Sequence, residues 1–304
     1  MNITERIKGK AHQLGFELVG VTPSHPPPDF DYFQWWLDQG YAGTMEYLKR
    51  GLERRGNPEI ILPGVKSIIC CAINYYTGDP PQGISDSSRT IARYAWGEDY
   101  HEVILARLNQ LEEFIQSEID PKALTKSYVD TGAILERSYA ERGGLGWIGK
   151  NTCLINNGLG SYLFLGELLT TLKLQYDHPT FDQCGTCTRC LDACPTGALP
   201  EEYQMDARKC ISYLTIEYRG EFTEEESKMT HQHLYGCDIC QEVCPYNQRI
   251  PVTPLVEFQP TNPFLKQKPE EWEYLDEEQF KQQTKNSSMN RIQWSQWRRN
   301  LKVF

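Results

Sequence analysis

No stretch of the 304-residue sequence reaches the ~20 consecutive apolar residues that a membrane helix needs. The N-terminus, MNITERIKGKAHQLGF, also lacks the apolar core of a signal peptide. Both absences point to the cytoplasm, where thiols stay reduced, so the 11 cysteines are not expected to form a disulfide framework. Positive charge is scarce as well. Lys and Arg number 31 against 41 Asp and Glu, a net charge of −10, which argues against non-specific coating of nucleic acid. A local basic site is still possible. Residues 281–304 hold Lys281, Lys285, Arg291, Arg298, Arg299 and Lys302 and no acidic residue; a solvated helix end is the plain alternative. No internal repeat of the solenoid kind is present.

The length allows one large domain or two ordinary ones. Residues 3–14 read as a helix leading into a strand, Phe16 to Val21. After a Pro-rich turn, Pro23 to Pro28, comes an aromatic helix with Trp35 and Trp36. Lys66 to Tyr76 is apolar and β-branched enough for a buried strand. In 99–119, Ile104, Leu108, Leu111 and Ile115 share one helical face. Ser127 to Val129 reads as a strand ending at Asp130, with a helix at about 133–142 directly after it. A glycine turn, Gly143 to Gly149, a strand, Thr152 to Ile155, and an Asn157-Gly158 hairpin signal complete the pattern. Strands alternating with helices give an α/β layer architecture. The composition divides the chain into an α/β domain, 1–178, a cysteine-cluster domain, 179–250, and a tail, 251–304, packing back on the first.

Eight cysteines lie between 184 and 244. Cys184-x2-Cys187-x2-Cys190-x3-Cys194-Pro195 is the bacterial ferredoxin run, in which three thiolates hold one cubane and the fourth reaches the other. Cys237-x2-Cys240-x3-Cys244-Pro245 is a partial second copy, and Cys210 upstream can supply the missing ligand. The crossing rule assigns Cys184, Cys187, Cys190 and Cys244 to one 4Fe–4S cluster and Cys194, Cys210, Cys237 and Cys240 to the other. Zinc is the alternative, but structural zinc sites usually use two separated Cys-x2-Cys pairs. Two cubanes imply a relay of single electrons. Cys70, Cys71 and Cys153 read as core cysteines. The cluster segment needs only about 65 residues, so a pure electron carrier leaves most of the chain unexplained.

Gly144-Leu145-Gly146-Trp147-Ile148-Gly149 formally matches G-x-G-x-x-G. A helix precedes it and a strand follows, the reverse of the dinucleotide-binding order. Two readings stay open: a close backbone approach to a cofactor and a helix C-cap. Asp130 is a candidate acid at a strand end; the alternative is an ordinary N-cap for the next helix. As an acid it would need a pKa raised by burial to donate near neutral pH.

Four stretches together carry a resemblance: Arg93-Tyr94-Ala95-x-Gly97-x-Asp99-Tyr100-His101, Asp130-Thr131-Gly132-x3-Glu136-Arg137, Gly144-x-Gly146-Trp147-x-Gly149-Lys150-Asn151, and the two cysteine runs with Cys210-Ile211-Ser212-Tyr213. In these the chain resembles the epoxyqueuosine reductases, over nearly its whole length. The resemblance implies a cobalamin-binding α/β domain, similar to reductive dehalogenases, joined to a two-cluster 4Fe–4S ferredoxin-like module. It implies that epoxyqueuosine at the wobble position of tRNA loses its epoxide oxygen, with cob(I)alamin, fed by the clusters, as nucleophile or reductant. Asp130 matches the family's proton donor and also borders the cofactor. No His of the Asp-x-His-x2-Gly type is present, so base-off cobalamin without a His ligand is expected. Arg55, Asn151, Cys153, Ser161 and Ser212 are the expected cobalamin contacts, each with a packing or turn role as its alternative.

Trp294 to Lys302, Lys209 and Arg219 are the candidate contacts to tRNA, whose splayed loop bases stack on aromatic rings. An external one-electron donor such as flavodoxin or ferredoxin, no membrane, and a monomer complete the expectation. Many members continue into a helical-repeat domain after an Arg-Arg-Asn-like segment. This chain stops at Arg298-Arg299-Asn300-Leu301-Lys302-Val303-Phe304, as a short natural form or a truncated one, which bears on the extent of tRNA contact and not on the chemistry. Two competing functions are a corrinoid reductive dehalogenase acting on a small organohalide and a non-catalytic electron-transfer module.

Overall fold

The computed structural model describes residues 2–79 and 91–303. Its first helix, α1 (Ile3–Gln13), is capped by Asn2, whose side chain accepts from the Glu5 N–H. Four strands form the main sheet: β1 (Leu18–Pro23), β2 (Ser67–Asn74), β3 (Thr125–Tyr128) and, beyond a small hairpin of β4 (Trp147–Ile148) and β5 (Leu154–Ile155), β6 (Leu163–Thr170). Their order is β1-β2-β6-β3, and every pairing is antiparallel. Between β1 and β2 lie α2 (Phe30–Asp38), the aromatic helix, and the short α3 (Leu52–Gly56).

Helices cover both faces of the sheet, a mixed α/β architecture. α4 (Tyr100–Phe114) closes with a π turn, Ile115–Ile119. With α1 it packs on the face carrying Ile69, Cys71, Ile73, Phe164 and Leu168. Gly166 allows the close approach, because a Cβ there would crowd Ile104 and Leu108. The opposite face carries Ile68, Cys70, Ala72 and Leu169 and is covered by α5 (Glu136–Arg142) through Tyr139 and Ala140. β2 is therefore buried on both faces, as its unbroken apolar run requires. Cys70 and Cys71 are core residues with no exposed surface. β6 has no counterpart among the sequence expectations, because Gly166 and Glu167 interrupt its apolar pattern.

The cysteine segment is mostly loop with three short helices, α6 (Arg189–Ala193), α7 (Glu224–Met229) and α8 (Ile239–Glu242). α6 and α8, one from each cysteine run, lie against each other. The tail adds α9 (Pro269–Trp272), α10 (Glu277–Thr284) and α11 (Trp294–Leu301). Its Phe264, Trp272, Phe280 and Trp297 form a core with Ile91, Ala95 and Trp96 on one side and Ile216, Leu234 and Tyr235 on the other. The tail thus packs on the cluster segment as well as on the first segment. Four buried aromatic rings of roughly 200 Å² each, at ~25 cal/mol/Å², contribute on the order of 20 kcal/mol of gross burial. That outweighs any reading of this region as a solvated helix end.

Candidate active site

Asp130 stands just past β3 with φ 56°, a left-handed conformation uncommon outside glycine. Its main-chain N–H donates to Glu136 Oε1. It does not cap the next helix. The sequence expectation of a helix directly after Asp130 is corrected here: α5 starts at Glu136, and its N-cap residue is Leu135, without a side-chain bond. The Asp130 carboxylate turns instead to the start of α4. Tyr100 Oη donates to Oδ2 at 3.0 Å, and His101 Nε2 lies 3.3 Å from the same oxygen. His101 Nδ1 is 2.7 Å from Asp99 Oδ1, which also caps α4. The Tyr100 ring stacks on Phe164 at 4.3 Å, fixing its direction.

A carboxylate at each ring nitrogen holds His101 as an imidazolium. Desolvation lowers its pKa, but the bonds and charges of Asp130 and Asp99 prevail and raise it to about 9. For Asp130 the balance runs the other way. Desolvation in the cleft pushes the carboxyl up, yet the His101 bond and charge, with Tyr100 and Arg291, hold it below its ordinary value. Its side chain is 52% exposed, so the carboxylate remains accessible from outside. The expectation that burial alone raises the Asp130 pKa is therefore corrected: the raised group is its neighbour.

Arg291, from the tail, reaches the same cleft. It pairs with Glu217 at 2.8 Å and lies 5.8 Å from the Tyr47 ring. Desolvation first, then Glu217, pushes the Tyr47 hydroxyl up to about 12. Pattern reading assigned no role to Tyr100, His101, Glu136 or Arg291. The available signal was Asp99-Tyr100-His101 at a helix start, which points three polar groups from one helix end.

The cysteines gather in two groups. Cys184, Cys187, Cys190 and Cys244 line one cavity of about 180 Å³ with Lys150, Asn151 and Tyr246. Cys194, Cys210, Cys237 and Cys240 are electrostatic neighbours of one another. Burial pushes the Cys237 thiol up to about 12, so these thiols become thiolates only with a bound cation beside them.

Of the five expected cobalamin contacts, three surround the second run. Asn151 is buried, donates to the Cys240 carbonyl at 3.4 Å and accepts from the Cys153 N–H at 3.2 Å. The Cys153 side chain bonds to that of Cys240. Ser161 is buried and bound to Asn247 and Gln241. Ser212 is half-buried, at the start of the turn Tyr213–Glu217. Arg55 is buried apart from these, donating to the Arg50 carbonyl at 2.9 Å on the Tyr47 side of the cleft. Arg137 spans the gap, bonding to the Thr152 carbonyl beside Cys153.

Two candidate features take structural roles. The glycine turn ends α5: Gly144 has φ 82°, and Leu145 N–H bonds back to the Ala140 carbonyl at 3.0 Å, a helix C-cap. The space a Cβ would need at Gly144 and Gly146 is filled by the His178 and Ile155 carbonyls, so protein backbone makes the close approach. In the basic end, Arg299 is buried, donating to the carbonyls of Leu214, Tyr218 and Gly220. Arg298, Lys302, Lys209 and Arg219 remain exposed. No helix among the described residues is long and apolar enough to cross a membrane.

Residues 183–247 match the family model described as a 4Fe-4S double cluster binding domain. Residues 55–131 match that of epoxyqueuosine reductase QueG, DUF1730. An epoxyqueuosine reductase of Cellulophaga algicola is 36% identical over 99% of this chain and 99% of its own length. The chain belongs to the epoxyqueuosine reductase family. The Escherichia coli relative is 37% identical, with 99% of this chain and 80% of its own length covered. The crystal structure of an epoxyqueuosine reductase with an epoxyqueuosine-modified tRNA-Tyr stem loop superposes with a TM-score of 0.89 at 33% identity, covering 98% of this chain and 80% of that one. Family membership makes this chain an oxidoreductase carrying a double 4Fe–4S domain.

Proposed function

We propose that the protein reduces epoxyqueuosine to queuosine at the wobble position of tRNA, with Asp130 delivering a proton to the departing epoxide oxygen. The observation that carries this reading is the placement of the acid. Asp130, with its proton-holding partner His101, is joined through Glu136-Arg137 and Thr152-Cys153 to Cys240 of the second cysteine group. This run of contacts links the proposed proton source to a cysteine of the proposed electron path. Converting an epoxide to an alkene takes two electrons and two protons and releases water. Two one-electron clusters match the electron count; the Asp–His pair supplies one of the two protons, and the second comes from solvent.

Cys184, Cys187, Cys190 and Cys244 would hold one cluster, and Cys194, Cys210, Cys237 and Cys240 the other. Cobalamin would supply low-potential cobalt chemistry that no side chain offers. Asn151, Cys153, Ser161, Ser212 and Arg55 would hold it. His101 is the histidine beside Asp130, and both its ring nitrogens are engaged by carboxylates, which supports base-off binding without a His ligand. Asp130 orients the oxygen and transfers the proton, Tyr100 fixes the carboxylate, and His101 replenishes it. The exposed Arg298, Lys302, Lys209 and Arg219 are the residues left to meet the tRNA backbone. Residues 1–178 then form the catalytic domain, 179–250 the electron relay and 251–304 the supporting tail. The same reading makes the protein a cytoplasmic monomer reduced by an external carrier such as flavodoxin or ferredoxin.

The test is a mass-spectrometric nucleoside assay with anaerobically reconstituted protein, cobalamin, a strong reductant and tRNA carrying epoxyqueuosine. Loss of one oxygen, dependent on cobalamin, is the expected result. No loss with both clusters intact and corrin bound overturns the substrate assignment and favours a small organohalide.

A further inference from the structure

Beneath the Asp130 loop lies a buried carboxyl that the reaction above does not use. Glu167 sits in β6 opposite Cys70 of β2 and Tyr128 of β3. On its face of the strand the neighbouring positions are Leu163, Leu165 and Leu169, and α5 covers it. Glu167 has no exposed surface, and neither of its oxygens accepts a bond from any donor among the described residues. The polar group in reach is the Glu136 carboxyl, which Glu167 can meet only as a donor. Two carboxyls can bond only if one carries a proton. Glu136 in turn accepts the main-chain N–H of Asp130. The three form a line: buried acid, half-buried carboxylate, then the main chain of the residue at positive φ.

We propose that Glu136 and Glu167 are a positioning pair for the proton donor, sharing one proton so that Glu136 stays aimed at the Asp130 N–H and holds that residue in its left-handed conformation. The inference rests on the assignment of Asp130 as the acid. The surroundings leave the pair no other arrangement. From the sheet, the neighbouring titratable groups are Tyr128, opposite Glu167 in β3 but not bonded to it, and Cys70 and Cys71, neutral thiols whose pKa values burial and Glu167 push far up. From the loop, Asp130 adds negative charge. From α5, Arg137 acts on Glu136 and Arg142 acts on Cys70 rather than on Glu167. Tyr100 from α4 is neutral. Arg137 reaches Glu136 alone, and a second adjacent anion on Glu167 with no cation of its own is untenable in an apolar site. Desolvation, and next the Asp130 charge, raise Glu136 to about 7, while desolvation and Glu136 raise Glu167 well above its ordinary value. Above pH 7 the pair therefore holds one proton, on Glu167.

Three readouts test this on the full-length protein with oxidised clusters and, for kinetics, bound cobalamin. Infrared spectroscopy above pH 7 is expected to show a neutral carboxyl C=O band that disappears in Glu167→Gln. Selective amide labelling is expected to place the Asp130 N–H resonance downfield, moving in Glu136→Gln and Glu167→Leu but not in Glu167→Gln, whose amide still donates to Glu136. In turnover, Glu136→Leu and Glu167→Leu lose about a hundredfold in kcat with KM for tRNA unchanged, the scale of a misplaced reacting group. Glu167→Gln keeps kcat within about threefold, and Glu136→Gln loses the acid limb near pH 7. Absence of the neutral band, an unmoved Asp130 amide, or failure of Glu167→Gln equal to that of Glu167→Leu overturns the proposal. Should the wild-type protein leave epoxyqueuosine unreduced, the functional reading fails, while the band and the amide still decide whether the pair positions Asp130.

Discussion

With Asp130 held below the ordinary carboxylate range and His101 raised to about 9, the resting proton near neutral pH sits on the imidazole. The donor is then the pair rather than the carboxyl alone. Asp130→Asn, which keeps the shape and removes the proton acceptor, is expected to lower kcat about 10²–10⁴-fold with KM for tRNA unchanged, read by the nucleoside assay. Wild-type kcat should fall as pH rises through about 9, where His101 loses its proton, and His101→Gln should lack that limb. Stability follows the same sign. A folded pKa above the unfolded value gives stability that is complete below the ordinary 6.5 and lost as pH rises through about 9. The Tm difference between wild type and His101→Gln should shrink over that window; a constant difference would show that the imidazolium is not the stabilising form. Little of this was legible in the sequence. Asp130 stood out at a strand end, but the groups that set its proton come from positions 99 to 101, on a helix that only the fold brings alongside.

Local signals fared according to whether the chain itself closes them. The 3.6-residue period gave α4, and the apolar run gave β2, because both patterns are decided by neighbours in sequence. The glycine turn was ambiguous because a C-cap and a cofactor approach need the same backbone freedom; the bond from Leu145 to Ala140 decides for the cap. β6 was missed because its two pattern-breaking residues have partners far away, α4 for Gly166 and Glu136 for Glu167. The basic end shows the same limit. Arg298 and Arg299 are adjacent in sequence, yet one is exposed and the other is buried over the Phe222 ring at 3.9 Å. Arg299→Ala strands the carbonyls of Leu214, Tyr218 and Gly220, and with charged hydrogen bonds worth roughly 1.5–3 kcal/mol each, a loss of more than about 4 kcal/mol is expected in denaturant unfolding. Arg298→Ala should stay within about 0.5 kcal/mol and, if it meets the tRNA, weaken binding instead. Equal losses from the two would mean that α11 is not held by the buried guanidinium.

Across the whole molecule, the cysteine spacing carried more than any other part of the sequence, because cubane geometry constrains ligands within a single loop. What spacing could not carry is which distant cysteine completes each set. In the structure, Cys244 joins the cavity of the first run, and Cys194 lies with Cys210, Cys237 and Cys240. The crossing ties the two runs together and brings α6 against α8, so each cluster would staple both halves of the segment. Cluster loss then has a distinctive pattern. Cys190→Ala and Cys244→Ala, one from each run, should remove the same cluster, halving the iron and leaving the other cluster's electron paramagnetic resonance signal in the reduced protein. The double variant should lose no more iron than either single one. Cys194→Ala should remove the other cluster, and combined with Cys244→Ala it should remove all the iron. If each run instead held its own cluster, Cys190→Ala and Cys244→Ala would strike different clusters and their double variant would be iron-free. The second group is joined through Cys240 to Cys153, next to the Thr152 carbonyl that Arg137 of α5 holds. Its loss should stop turnover even when the first cluster still accepts electrons from the donor, whereas after loss of the first cluster turnover should survive when a chemical reductant in excess supplies both electrons through the second.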